Sequence, residues 1–302
     1  MSEQATEPVA GPALGPAAGG GAGPLPVRKT YKLFVGGRFP RSESGRVYEV
    51  TDEAGTWLAN APLASRKDAR DAVVAARKAF GPWSQATAYN RGQILYRIAE
   101  MMQSRRDEFA ADSGDASGAE TDAALARWVW YAGWSDKIAQ VAGNANPVAG
   151  PYFNLSVPEP TGVVAVVAPP RSSLLGLVSV LAPVIVSGNT AVVVASEPSP
   201  LPALTLAEVL AVSDLPPGVV NILSGRTAEL APVLAAHRDV NALDLTGVED
   251  PQLAAELEAT AAETLKRVRR PAPDGEDWHA DPGTGRLLAF LETKTVWHPQ
   301  GL

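Results

Sequence analysis

Thiolate chemistry is closed to this chain, because none of its 302 residues is cysteine. That one absence excludes disulfides, cysteine-containing zinc sites and a sulfur nucleophile together. The three histidines, His237, His279 and His298, are widely separated and form no His-Glu-x-x-His spacing, so no metal site is expected. What remains with chemical potential follows strand-like runs. Pro169 and Arg171 stand just after one such run, Glu197 just beyond the next, and Gly225 and Gly247 at two strand-to-helix turns. Taken alone, turn glycines and a solvated carboxylate account for the last three as well as ligand contact does.

The surrounding elements are read from periodicity. A hairpin is expected over 32–50, where apolar and polar residues alternate around Gly-Gly and Ser-Gly turns. Ser65 and Asp68 form a capping-box-like start to a helix that ends at Gly81-Pro82. Helices follow over 91–111 and 120–141, the second carrying Trp128, Tyr131 and Trp134 as packing residues. From Gly162 onward β-branched runs at 163–168, 191–195, 219–223 and 240–245 alternate with helical segments at 172–186, 201–212, 228–236 and 251–268. That alternation predicts an α/β fold with a parallel, doubly wound sheet.

The ends of the chain read differently. Residues 1–27 are rich in Ala, Gly and Pro and cannot bury enough surface to offset ordering entropy, so a disordered tail is expected, not a signal peptide. Residues 271–286 read as a linker and 287–298 as a further strand. The hydrophobic fraction of 46% suffices for a large core, and the net charge of −7 argues against a nucleic-acid surface. The longest apolar run, 174–186, is broken by Pro183 and too short to span a bilayer, so no membrane association and a cytoplasmic location are expected.

The block PTGVVAVVAPPRSSLLGLVSVLAPVIVSGNTAVVVASEPSP, then LPPGVVNILSG and ALDLTG, resembles the aldehyde dehydrogenase superfamily. LFVGGRFP resembles the opening hairpin of those proteins, YAGWSDKIA one of their helices and FLETKTVW their closing strand. The resemblance covers about 31–270 and 287–301, and implies a Rossmann-like NAD(P)-binding domain over 28–270, with N-terminal helices and a small antiparallel oligomerisation arm. The hairpin at 32–50, strands within 151–168 and the closing strand 287–302 are expected to build that arm.

Set against the family scheme, the chemical groups are missing. The catalytic domain with its cysteine has no counterpart. Arg269-Arg270-Pro271 stands where the glutamate-bearing ELGG motif would follow, and Pro169-Pro170-Arg171 replaces Pro-Trp-Asn with its oxyanion asparagine. Loss of nucleophile, base and oxyanion donor removes most transition-state stabilisation, so no catalytic residue is assigned. For the cofactor, the resemblance points to Pro169, Arg171, Glu197, Gly225 and Gly247, with NAD or NADP bound weakly at best. Val194 and Ala195 replace the Lys-Pro ahead of the ribose-binding glutamate, and Val248 replaces a pyrophosphate-binding serine.

An arm kept without the domain it docks onto implies a full-length aldehyde dehydrogenase homologue as partner, with this chain as an assembly or regulatory subunit. The alternatives are an NAD(P)-binding module that contributes only within a complex, and a remnant without function.

Overall fold

The structure is a computed structural model that describes residues 28–301; the tail expected over 1–27 lies outside the described residues. Residues 31–301 belong to one compact unit. Its elements in chain order are β1 (Val47–Thr51), β2 (Trp57–Pro62), α1 (Arg66–Gln85), α2 (Ala88–Gln103), α3 (Arg106–Asp112), α4 (Ala119–Trp134) and α5 (Ile138–Ala142). Then come β3 (Asn144–Asn146), β4 (Tyr152–Pro160), β5 (Val163–Val167), α6 (Leu175–Val186), β6 (Thr190–Val194) and α7 (Leu201–Ala211). The chain continues with β7 (Val220–Leu223), α8 (Thr227–Ala236), β8 (Ala242–Asp244), α9 (Pro251–Ala262), β9 (Arg267–Arg269), α10 (Gly285–Leu288) and β10 (Leu291–Pro299).

A five-stranded parallel sheet of order β7-β6-β5-β8-β9 forms the centre. Every residue of β5, β6 and β7 is buried, as continuous β-branched runs require when helices cover both faces. Val164, Val166 and Ala242 face a core built with α4 and α6, while Val163, Ala165, Val167 and Leu243 face a second core with α1, α8 and α9. The doubly wound α/β expectation holds. Side chains pin the layers: Trp83 Nε1 donates to the Ile185 carbonyl at 3.0 Å, and Arg91 Nε to the Val186 carbonyl at 3.0 Å.

Several boundaries differ from the sequence reading. The hairpin expected over 32–50 divides. Val35–Arg38 closes a tight turn on Gly36 and Gly37, both with positive φ, and Phe34 pairs with Ile222 at the outer edge of the parallel sheet. Val47–Thr51 instead pairs with β2, so residues 32–50 contribute nothing to the arm sheet. The capping box is present, with Ser65 accepting from the Asp68 amide, yet α1 runs through Pro82 because Trp83 is buried in the core and hydrogen-bonded there. The helix expected over 91–111 breaks between α2 and α3, and that over 120–141 between α4 and α5. The one expected to reach 268 stops at Ala262; a left-handed Leu265 then turns the chain into β9, which pairs with β8.

The small antiparallel sheet has order β10-β4-β3. Of the expected arm segment 151–168, β4 joins this sheet while β5 belongs to the central one. The closing strand starts at Leu291, not 287: Leu287 and Phe290 are buried in the core, and the Phe290 carbonyl accepts from Asn189 Nδ2 at 2.9 Å and Thr161 N at 3.1 Å.

Asp68 anchors the first helix to the strand-rich N-terminal region. Its buried carboxylate accepts from Ser65 N at 2.7 Å, Ser42 Oγ at 2.9 Å and Glu43 N at 3.1 Å. Replacing Ser65 with Ala removes only a cap, expected to cost about 1 kcal/mol. Asp68→Ala strands several donors and is expected to cost about 2 kcal/mol or more, read as a lowered urea midpoint.

Candidate functional site

All five residues singled out in the sequence lie beyond carboxyl ends of the parallel strands: Pro169 and Arg171 after β5, Glu197 after β6, Gly225 after β7 and Gly247 after β8. Strand order reverses at β5, so the crevice between β5 and β8 is the place where open α/β sheets take ligands. The structure brings the five to one edge of the sheet but into two separate groups.

The first group surrounds Glu197. Its carboxylate accepts from Arg226 Nη1 at 2.5 Å and from the Thr227 amide at 3.1 Å, capping α8. The hydrogen bond to Glu197 holds the Arg226 guanidinium above its ordinary value. Arg226 also lies over the Tyr48 ring at 5.9 Å. Burial, reinforced by the Glu197 charge, pushes the Tyr48 hydroxyl up, and that hydroxyl has no hydrogen-bond partner. Gly225, with φ +152, sits against the Ala64 amide, 3.2 Å from where a Cβ would stand.

The second group closes the crevice itself. The Gly247 amide donates to the Val167 carbonyl at 3.1 Å, and a Cβ on Gly247 would land on the Ala168 carbonyl. Pro169 is buried beside this contact. Arg171 leaves it altogether: its side chain is 89% exposed and pairs with Glu249 at 2.9 Å, bridging the two loops. Val248 is buried, offering no hydroxyl. The amino end of α6 is occupied too, since Glu120 Oε1 accepts from Ser172 Oγ at 3.0 Å and Leu175 N at 3.1 Å.

Sequence reasoning missed Arg226, Tyr48 and Glu120, whose partners lie 29 or more residues away along the chain. It also missed a cluster at the end of β8. Asp244, 1% exposed, receives Arg286 Nη1 at 3.2 Å, and Arg286 Nη2 reaches Glu276 at 2.7 Å. Trp278, an aromatic residue inside an otherwise polar stretch, was the available signal. Among the described residues no group of three His, Cys, Asp or Glu side chains is arranged to hold a metal.

Residues 39–270 match the model of the aldehyde dehydrogenase family. The chain belongs to that family. It is 34% identical over 255 residues to mitochondrial benzaldehyde dehydrogenase of Antirrhinum majus, covering 80% of this chain and 47% of that one. With the cytosolic 10-formyltetrahydrofolate dehydrogenase of Xenopus tropicalis it shares 34% identity over 238 residues, 74% of this chain and 26% of the other. A structure of HpcC from Thermus thermophilus superposes with a TM-score of 0.75 at 31% identity, covering 80% and 47% of the two chains. An aldehyde dehydrogenase from Bacillus cereus, solved as its NAD+ complex, gives 0.73 at 27% identity, covering 80% and 50%. The chain therefore spans about half the length of most of these relatives.

Nicotinamide dinucleotide binding is plausible for a member of this family. In this chain, however, the residues present do not fit the group as they stand. The Glu197 carboxylate is committed to Arg226 and the α8 amide, Val194 is a buried aliphatic where the family segment has lysine, and Arg171–Glu249 spans the loop mouth. Gly247 serves the closed packing of the crevice: Gly247→Ala is expected to cost about 2 kcal/mol or more. Gly133→Ala, in open space within α4, should be neutral or stabilising by up to about 1 kcal/mol. Thermal unfolding of the two variants side by side checks this.

Proposed function

We propose that this chain is a non-catalytic member of the aldehyde dehydrogenase family that assembles with a full-length homologue, as a structural or regulatory subunit, through its small antiparallel sheet. The observation that carries the reading is the sheet's surface. β10 is an edge strand, paired on one side with β4 through nine register positions. Phe153, Leu155, Val157 and Val296 share one face by that register, with Phe153 49% and Val296 44% exposed. The opposite face presents Trp297, 58% exposed, against Tyr152 at a ring separation of 5.8 Å. An open edge flanked by apolar side chains is an aggregation hazard unless a partner covers it.

The absence of any cysteine supports a non-catalytic role, since a thiol nucleophile has no source in this sequence. A cytoplasmic location belongs to the same reading; no helix among the described residues is long and apolar enough to cross a membrane. The second reading, a nicotinamide dinucleotide module, draws support from the family fold and from Glu197, Gly225 and Gly247, but the engagement of Glu197 by Arg226 weighs against it.

Co-purification of the tagged chain from its source, followed by mass measurement of the intact complex, tests the assembly reading. A full-length aldehyde dehydrogenase is expected in the complex. Phe153→Asp combined with Trp297→Asp should abolish the association and leave the isolated chain folded, because both side chains are about half exposed and lie outside the two cores. A monodisperse chain with no such partner, or association unaffected by the double substitution, overturns it.

A further inference from the structure

Residues 271–286, read in the sequence as a linker, are held against α4 and α6. Arg127 of α4 donates through Nη2 to the Trp278 carbonyl at 2.7 Å and the Ala280 carbonyl at 3.2 Å. Its Nη1 donates to Ser179 Oγ of α6 at 2.9 Å. Between α4 and this segment runs an open cleft of about 380 Å³, within the range of small-molecule sites. Ala123, Ala126, Arg127 and Trp130 form one wall, and residues 278–282 form the other. That second wall lies beyond residues 39–270, so the family match does not account for it.

Arg127 is the group in this cleft whose charge is left open. It is only 9% exposed, and no carboxylate among the described residues forms an ion pair with it. The carboxylates close by are taken: Arg286 holds Asp244 at 3.2 Å and Glu276 at 2.7 Å, and Arg269 shares Glu276 at 3.4 Å. The field of the three arginines reaches Tyr131, one turn along α4. Burial pushes its hydroxyl up to about 12, and the charges of Arg286, Arg127 and Arg269 oppose that shift. Asp281 and His279 also line the cleft, but both are exposed, and Asp281 accepts from the Gly283 amide at 2.9 Å. Carbonyl and hydroxyl partners leave a guanidinium its full charge, and a charge taken out of water needs a counter-charge. Of its five N–H groups three are engaged; Nε–H bonds to nothing among the described residues and is not sealed from solvent.

We propose that this cleft is a binding site for a small aromatic carboxylate, with the carboxylate on Arg127 and the ring against Trp130 and Trp278. The unpaired cation selects an anion, and the two indoles select a flat apolar body. Both indoles are partly exposed and held in place, Trp130 by Tyr131 at 4.9 Å and Trp134 at 5.5 Å, and Trp278 by the Arg286 guanidinium at 5.1 Å. The site goes beyond the assembly reading and does not depend on it, because no residue of the antiparallel sheet lines the cleft.

Titration of the full chain with benzoate, followed by calorimetry and by tryptophan fluorescence, tests the site. Saturable binding is expected, with a Kd on the order of 0.1–1 mM. Benzyl alcohol, which has the ring without the charge, should bind roughly tenfold more weakly or worse. Arg127→Gln should weaken benzoate by about tenfold or more. Because Arg127 also holds two carbonyls of the opposite wall, a second pair of variants decides the matter if that one does not fold. Ala126 is exposed on the same wall as Arg127, so Ala126→Glu sets a competing carboxylate beside the cation, whereas Ala126→Gln adds the same bulk without charge. The Glu variant should bind benzoate about tenfold more weakly than the Gln variant. Three results overturn the proposal: no saturable binding of benzoate by the wild type, benzyl alcohol binding as tightly as benzoate, or equal affinity in the two Ala126 variants. Failure of co-purification through the arm would leave these readouts untouched, so the two proposals fail separately.

Discussion

A carboxylate buried at the end of a sheet strand requires a permanent counter-charge, and in this molecule Asp244 obtains one from Arg286, 42 residues further along the chain. Breaking a buried pair of this kind leaves an uncompensated charge in a low-dielectric environment, which is why both halves must be held in place. The requirement turns a polar, Pro- and Gly-containing stretch into part of the fold. It also fixes the route of the chain from β9 back across α4 and α6, and so delivers Leu287, Phe290 and β10 to their positions.

The carboxyl edge of the sheet shows the same principle in several places. Polar groups along this edge are satisfied by the chain itself: Glu197 by Arg226, the amino end of α6 by Glu120, and the loops after β5 and β8 by Arg171–Glu249 and the Gly247 contact. Each is a short-range, charge-assisted or backbone interaction that a ligand would have to displace. The fold of the family is kept, while the edge where ligands enter is internally paired.

The antiparallel sheet contrasts with that closure. Its interior ladder is polar, with Asn146 donating to Asn154 at 2.6 Å and Ser156 bonded to Thr295 at 2.8 Å, so register is fixed without a buried apolar core. Its apolar side chains are left on the outside. The proposed assembly with another chain rests on this exposure of Phe153, Val296 and Trp297.

How much of this was legible beforehand follows from the range of the interactions. The parallel sheet and its helices were, because runs such as VVAVV and TAVVV carry their burial in their composition, and the Ser65–Asp68 cap is complete within four residues. The loss of thiol chemistry needed only a residue count. The placement of Pro169, Arg171, Glu197, Gly225 and Gly247 on one edge followed from strand–helix alternation. What those residues do there did not, because Arg226, Glu249 and the Ala168 carbonyl reach them only through folding. Tertiary packing alone carried α1 through Pro82, where Trp83 is buried and hydrogen-bonded to the Ile185 carbonyl, and moved residues 32–38 from the arm to the outer edge of the parallel sheet. It also fixed the stretch before β10 against the fold: a lone tryptophan and an arginine among polar residues look solvated until a buried carboxylate from a distant strand is set against them.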